Sequence, residues 1–277
     1  MMWKRTIAAA LVAAPLAIAG AAPGSAQEKS RLDEVLARGK VIVGTSSEAP
    51  PFSFVDDKGE LVGFEIEIAK MIAKGLFGDP DKIEFVRQGS AARWPNVQTG
   101  KVDFGIQATT IFPERTLNVA FTRGYIDSGV AVLVKKASAI VKLADLDSES
   151  VTVAHIATPV AEARAKRYYP KAKFLVFDSV NAQVTAVRSG RADAAITDLP
   201  IVQWYANQNP DLRALDTIFG SPTNNAIFLK SGDFKWWLVL DTMVSEMLGG
   251  SSYAEYSDIY KKWFGVEPKH AKYYMSK

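Results

Sequence analysis

TGKVDFGIQA (99–108) and SGRADAAITD (189–198) write nearly the same phrase twice in one chain. Each phrase holds a hydroxyl residue and a glycine, a basic residue, an apolar residue, an aspartate and a short apolar run. That order reads as a helix end, a turn at the glycine and a buried strand. Before the first phrase, Ser30–Arg38 predicts a short helix ended by Gly39 and VIVG (41–44) a strand. GFEIEIAKMIAKGLFG (63–78) predicts an amphipathic helix, because Phe64, Ile68, Met71, Ile72 and Leu76 recur at helical spacing. KIEFV (82–86) then reads as a strand, residues 91–99 as a helix and VDFGI (102–106) as a strand. SSEAPPFSF (46–54) reads as a proline-broken loop and DDKGE (56–60) as a turn.

The second phrase closes the same succession. VTVAH (151–155) is a strand and Pro159–Arg167 a helix opened by Thr158 and Pro159. KFLVF (173–177) is a strand, Ser179–Ser189 a helix and DAAI (193–196) a strand. A β-α-β-α-β order in both halves predicts two similar α/β lobes, each a mostly parallel sheet flanked by helices.

Open parallel sheets bind ligands beyond the carboxyl ends of their strands. Thr109, Thr110 and Arg115 after one phrase, and Thr197 and Asp198 at the end of the other, are therefore expected to line a cleft between the lobes. In TTIFPER (109–115), the Arg115 guanidinium offers a planar fork for a carboxylate; the alternative is a surface arginine in a turn started by Pro113. Asp198 suits an ammonium group, and it equally suits the N-cap of the helix that LPIVQWYA begins. A cation and a carboxylate facing each other across a cleft match the charges of an α-amino acid.

Composition narrows the classes. Of 277 residues, 48% are hydrophobic and 23% charged, which excludes a disordered chain. Residues 1–26 carry Lys4 and Arg5, an apolar run from Ile7 to Ala22 broken by Pro15, and Gly24-Ser25-Ala26. That is the layout of a secretory signal peptide, so a periplasmic location is expected; a membrane anchor is the alternative, against which the run is short and alanine-rich. Lys4 and Arg5 account for two of the 33 basic residues, so the remainder stand level with the 30 acidic ones and no nucleic-acid partner is expected. The absence of cysteine excludes disulfides, a thiol nucleophile and cysteine-bound zinc. His155 and His270 lack metal-ligand spacing, and no phosphate-loop, dinucleotide, serine-hydrolase or metallopeptidase motif occurs. Neither a catalytic residue, a metal nor a cofactor is assigned.

The segments GFEIEIAKMIAKGL, APPFSF, GKVDFGI, TTIFPER followed by VAFT and Tyr125, GRADAAITD and IYKKWFG resemble the family 3 bacterial extracellular solute-binding proteins, the polar amino-acid-binding components of ABC importers. The resemblance runs in order along essentially the whole chain after the leader. It implies a two-lobed, type II periplasmic-binding-protein fold with two hinge crossings, near Gly124–Gly129 and Gly220–Asn224. Lobe 1 is then 27–127 plus 223–277, and lobe 2 is 128–222. It also implies a monomer that captures an amino acid, acidic or polar by preference, closes around it and delivers it to a membrane permease. In that scheme Arg115 holds the α-carboxylate, helped by Thr110 and by Thr158 at a helix N-terminus, whose dipole favours an anion. Asp198 and the backbone carbonyl of Ala108 take the α-ammonium. Arg93 aligns with an arginine that acidic-amino-acid binders of the family use near the ligand side chain, and Phe52 is either an aromatic wall or a core residue. The chain departs from the pattern at Ala49, where an aromatic is frequent, at Phe112, where Thr or Ser is common, and at Ile156, where Gly is common. Two other readings stay open: a periplasmic dehydratase or lyase on the same scaffold, and a solute receptor acting on a signalling partner. The closing stretch Lys269–Lys277 reads as a solvated tail.

Overall fold

A computed structural model describes residues 29–157, 159–215 and 219–268; the expected signal peptide, Thr158 and the closing tail lie outside them. The first half runs α1 (Arg31–Arg38), β1 (Val41–Thr45), β2 (Glu48–Ala49), β3 (Ser53–Val55), β4 (Leu61–Val62), α2 (Phe64–Phe77), β5 (Ile83–Arg87), α3 (Arg93–Gln98) and β6 (Phe104–Gly105). The chain continues through β7 (Ala120–Lys135), β8 (Thr152–Ile156), α4 (Pro159–Tyr168), β9 (Lys173–Phe177), α5 (Val180–Ser189), β10 (Ala194–Asp198) and α6 (Leu199–Gln208). It ends with β11 (Leu212–Ala214), β12 (Phe219–Leu229), α7 (Phe234–Gly249) and α8 (Tyr253–Phe264).

Two parallel triplets, β5-β1-β6 and β9-β8-β10, have the same order, with the first strand of each unit in the middle. Between them lie the long strands β7 and β12, antiparallel to each other and to the triplet edges they join. The lobes therefore share one continuous mixed sheet, rather than two separate ones. The β7–β12 pairing slips in register between Phe219 and Thr223 and on either side of Ala226. Asn224 and Asp127 meet there through an Nδ2–H to Oδ1 bond of 2.7 Å.

The doubled phrase has a structural cause. Gly100 and Gly190 take left-handed φ of 75° and 78°, and their N–H groups return to the carbonyls of Val97 and Val187. A residue with a Cβ is strained there, so glycine ends each helix. The aspartates then fasten strand to strand: Asp103 Oδ2 accepts the Ile42 N–H at 2.6 Å, and Asp193 Oδ2 accepts the Thr152 N–H at 2.7 Å. In both halves the aspartate's own N–H returns to the same residue's carbonyl at 2.8 Å. Only Asp103 is buried and ion-paired, with Arg38, and burial raises its pKa against that pairing.

One expected loop is ordered differently. Within SSEAPPFSF, and just beyond the turn that follows it, β2, β3 and β4 form a small antiparallel sheet around a cis Pro50–Pro51 peptide. Strands of two or three residues are too short to show a period. Beneath this sheet, Phe64 at the start of α2 is fully buried among Phe52, Tyr256, Tyr260 and Phe264, with ring centroids 5.1–6.3 Å away. The aromatics of α8 thus seat the last described helix on α2.

Asp233, the N-cap of α7, accepts the Trp236 N–H at 3.0 Å, and also the Arg31 N–H at 2.6 Å and the Ser30 hydroxyl at 2.8 Å. It ties α1 to α7. Burial acts to raise its pKa, but these hydrogen bonds outweigh it and the net direction is down. Asp233→Ala should cost about 1 kcal/mol of stability, in the range for a lost cap. Because the folded pKa is depressed, that contribution is present above about pH 4 and fades as the pH falls further. Urea titrations of both proteins at pH 7 and at successively lower pH should show the gap closing.

Candidate functional site

A cavity of about 400 Å³ lies beyond the carboxyl ends of β6 and β10. The segment after β6 contributes Gln107, Ala108, Thr110, Phe112 and Arg115, and β10 contributes Ile196, Thr197 and Asp198. Ser90 and Arg93 close it from the α3 side, and Ile156, Asp178 and Ser179 from the opposite half.

Arg115 sits in a single 3₁₀ turn, Pro113–Leu117, and is only 6% exposed. Its Nη1 donates to the Thr110 carbonyl at 2.7 Å, and its guanidinium lies 5.0 Å from the Phe112 ring centre. The surface-arginine alternative is therefore replaced by a buried one, and Phe112, the unexpected aromatic, packs on its fork. Arg93 is 4% exposed, donates from Nη1 to Thr109 Oγ1 at 3.2 Å and lies over the Trp94 ring. Among the described residues its buried Nε meets no hydrogen-bond partner. Burial, and then the neighbouring charge of Arg115, lower the Arg93 pKa to about 9.

Asp198 occupies the N-cap position of α6, yet its side chain makes no capping bond. It turns instead to the Ser128 hydroxyl at 3.1 Å and the Thr110 hydroxyl at 3.4 Å, the latter reaching across from the other half. Burial raises its pKa; Ser128, Asn225 and the two guanidiniums pull the other way. Thr110 also lies 3.2 Å from Asn225 Oδ1. Ala108 has φ +39°, the one positive value at a non-glycine residue among those described. That left-handed backbone costs about 1–2 kcal/mol for an L-residue and needs an external hold.

Arg93, Ala108, Thr110, Arg115 and Asp198 are thus brought together, and Ala49 and Ile156 line the same space. Phe52 is not part of it. The expectation of an aromatic wall is corrected: Phe52 is fully buried and packs edge-on against Phe64 and Phe264. Thr158 lies outside the described residues.

Three participants escaped the sequence reading. Ser128, in β7, supplies a hydroxyl to Asp198. Asp178, between β9 and α5, accepts the Ala91 N–H at Oδ1 (3.0 Å), while its carbonyl faces the Ser90 N–H at 3.4 Å. Gly89 beside it has no room for a side chain, since a Cβ would stand 1.8 Å from Asp178 Oδ2. Glu65, in the first turn of α2, is completely buried and bonded to the Ala108 N–H, the Ser53 hydroxyl and the Tyr125 hydroxyl. The resemblance marked its segment, GFEIEIAKMIAKGL, but not its role, because an acid at a helix start ordinarily complements the dipole in solvent.

The arrangement presents two buried guanidiniums and an opposing carboxylate to one small cavity. It can hold a zwitterion carrying an extra acceptor. The family model for bacterial extracellular solute-binding proteins, family 3, matches residues 41–266. The chain is 30% identical over 252 residues to the ABC transporter glutamine-binding protein GlnH of Bacillus subtilis (strain 168), covering 88% of this chain and 89% of that protein. It is 28% identical to the L-cystine-binding protein TcyJ of Escherichia coli (strain K12), covering 90% and 92%. Among solved structures it is similar to the ancestral amino acid-binding protein AncCDT-1, a precursor of cyclohexadienyl dehydratase. That match has a TM-score of 0.77 and 34% identity, over 85% of this chain and all of that one.

Proposed function

The chain belongs to the family 3 bacterial extracellular solute-binding proteins, and from that premise we propose that it captures an acidic α-amino acid between its lobes and hands it to a membrane permease. The observation that carries this reading is the pair of buried arginines facing Asp198 across one cavity. Arg115 and Thr110 take the α-carboxylate, and Asp198 with the Ala108 carbonyl takes the α-ammonium. Arg93 takes the side-chain acid. An entering anion relieves the mutual repulsion of the two guanidiniums, whereas a lysine or arginine side chain would add to it. Relatives named for glutamine and cystine binding support an amino acid as the ligand class. The export signal expected in residues 1–26 supports delivery outside the cytoplasm.

Lobe 1, residues 27–127 plus 223–277, closes on lobe 2, residues 128–222, about the slipped pairing of β7 and β12. Ligand groups that touch both lobes favour the closed arrangement. Glu65, whose pKa burial raises to about 7, is sealed beneath Ala108 and does not line the cavity, whereas Asp198, which does and whose pKa burial also raises, is held by Ser128 and Thr110 and faces two guanidiniums that favour its charged form. That favours binding over dehydratase chemistry, which needs an acid in reach of the ligand.

The test is a thermal-shift screen of the chain from Gln27 onward, refolded free of ligand, against the common amino acids and their deamino acids. A ligand at 100 times its Kd adds ~2.7 kcal/mol to the folded state. L-Glutamate or L-aspartate is expected to give the largest shift. A largest shift with L-lysine or L-arginine would overturn the acidic assignment, and no shift with any amino acid would overturn the reading itself.

The Asp178 contact crosses between the lobes, so Gly89→Ala should act on closure. Losing one hydrogen bond to a charged group costs ~1.5 kcal/mol, about tenfold in affinity. Stopped-flow should place the change in dissociation, with the unliganded melting temperature nearly unchanged.

A further inference from the structure

We propose that Glu65 is a positioning residue for the ammonium end of the cleft: its buried carboxylate holds Ala108 left-handed so that the Ala108 carbonyl faces the ligand, and its protonation loosens amino-acid binding. This inference rests on the assignment of the ammonium to Asp198 and Ala108 made above.

The geometry is that of a hold built for an anion. Glu65 Oε1 accepts the Ala108 N–H at 2.6 Å and also the Tyr125 hydroxyl, and Oε2 accepts the Ser53 hydroxyl at 3.2 Å. The side chain does not cap its own helix. The neighbouring β3, β7 and post-β6 segments each aim a donor at it instead. Three donors on one carboxylate stabilise its charged form. The residue it grips is the one whose backbone is strained, and Ala108 lines the cavity. A strained peptide persists only where its surroundings over-determine it.

Glu65 also sits within electrostatic reach of the ligand site. The titratable and charged groups around it are Tyr125 from β7, Asp198 from the end of β10 and Arg93 from α3, with Tyr256 of α8 behind Tyr125. Burial raises the Glu65 pKa to about 7, against the hydrogen bonds of Tyr125, Ala108 and Ser53, with the Asp198 charge adding to the rise. Burial and the Glu65 charge push the Tyr125 phenol well above its ordinary value, so it remains a donor throughout the neutral range. A ligand ammonium nearby favours ionised Glu65. The linkage sign follows: binding draws the Glu65 pKa down and releases protons, so affinity is full above about pH 7 and falls below it, at most tenfold per pH unit.

The experiment is isothermal titration calorimetry of the chain from Gln27 onward with L-glutamate and L-glutamine at pH 8, 7, 6 and 5.5. Both ligands keep their charge across this range, free carboxyls titrating near pH 4. Wild type should lose about tenfold in affinity between pH 8 and 5.5. Glu65→Gln should bind about tenfold more weakly at pH 8 and show a nearly flat profile. Tyr125→Phe keeps the carboxylate but removes a donor that lowers its pKa, so its profile should keep the wild-type shape with the midpoint moved upward. This second variant decides the matter if Glu65→Gln does not fold. Parallel profiles for wild type and Glu65→Gln, or an unmoved midpoint in Tyr125→Phe, would overturn the proposal. Binding of neither ligand by wild type at pH 8 would instead overturn the underlying assignment of the site.

Discussion

Arg115→Ala is expected to weaken binding of the α-amino acid by about 2–5 kcal/mol, the range for truncating one partner of a buried charge pair. That is a loss of roughly 30-fold to several thousand-fold. The size follows from burial: at 6% exposure, solvent could not take over the carboxylate that the proposed site assigns to Arg115. Two further effects add to the first. The Thr110 carbonyl loses its 2.7 Å donor, which loosens the turn that also presents Thr110 to Asp198. The Phe112 ring loses the cation it packs against. Arg115→Lys should recover only part of the loss, since a point charge does not reproduce the two-pronged fork. Calorimetry with the ligand found by the thermal screen checks both variants, and unchanged affinity in Arg115→Ala would remove that residue from the site.

Asp198→Ala should cost a similar 2–5 kcal/mol for an amino acid, but with a different signature. The cavity would then hold two guanidiniums without the carboxylate that offsets them. The α-ammonium would lose its counter-ion while the acid groups keep theirs. Glutarate, which is L-glutamate without its amine, should therefore bind the variant at least as well as it binds wild type. Asp198→Asn retains acceptor oxygens for Ser128 and Thr110 and removes only the charge, so it separates hydrogen bonding from electrostatics. If L-glutamate and glutarate weaken equally in Asp198→Ala, the aspartate only supports the cleft wall. Because its backbone already occupies the cap position without help from the side chain, little helix stability is expected to be lost in α6.

These two residues were legible in the chain because one follows and the other ends a repeated phrase that closes on a strand. Position relative to a strand end is a local property, and the chemistry of a guanidinium or a carboxylate travels with the residue. Arg93 was legible only through family resemblance; its burial over Trp94 and its approach to Thr109 depend on how α3 packs beside β6. Phe52 failed for the converse reason. An aromatic beside Pro50 and Pro51 looks the same in sequence whether it faces a ligand or a core, and the last described helix, α8, more than 200 residues later, turned it inward through Phe264.

The sequence by itself determined the two α/β units, the glycines that end their helices and the aspartates that open their third strands. Those features rest on periodicity, backbone permission and bonds formed within each unit. Only the tertiary structure decided that β7 and β12 fuse the two units into one sheet, that Asp178 meets the loop at Gly89, and that Glu65 grips Ala108. Each of these joins segments dozens of residues apart or more. Whether a carboxylate faces water or a ring of buried donors depends on what packs over it, and no local pattern carries that information.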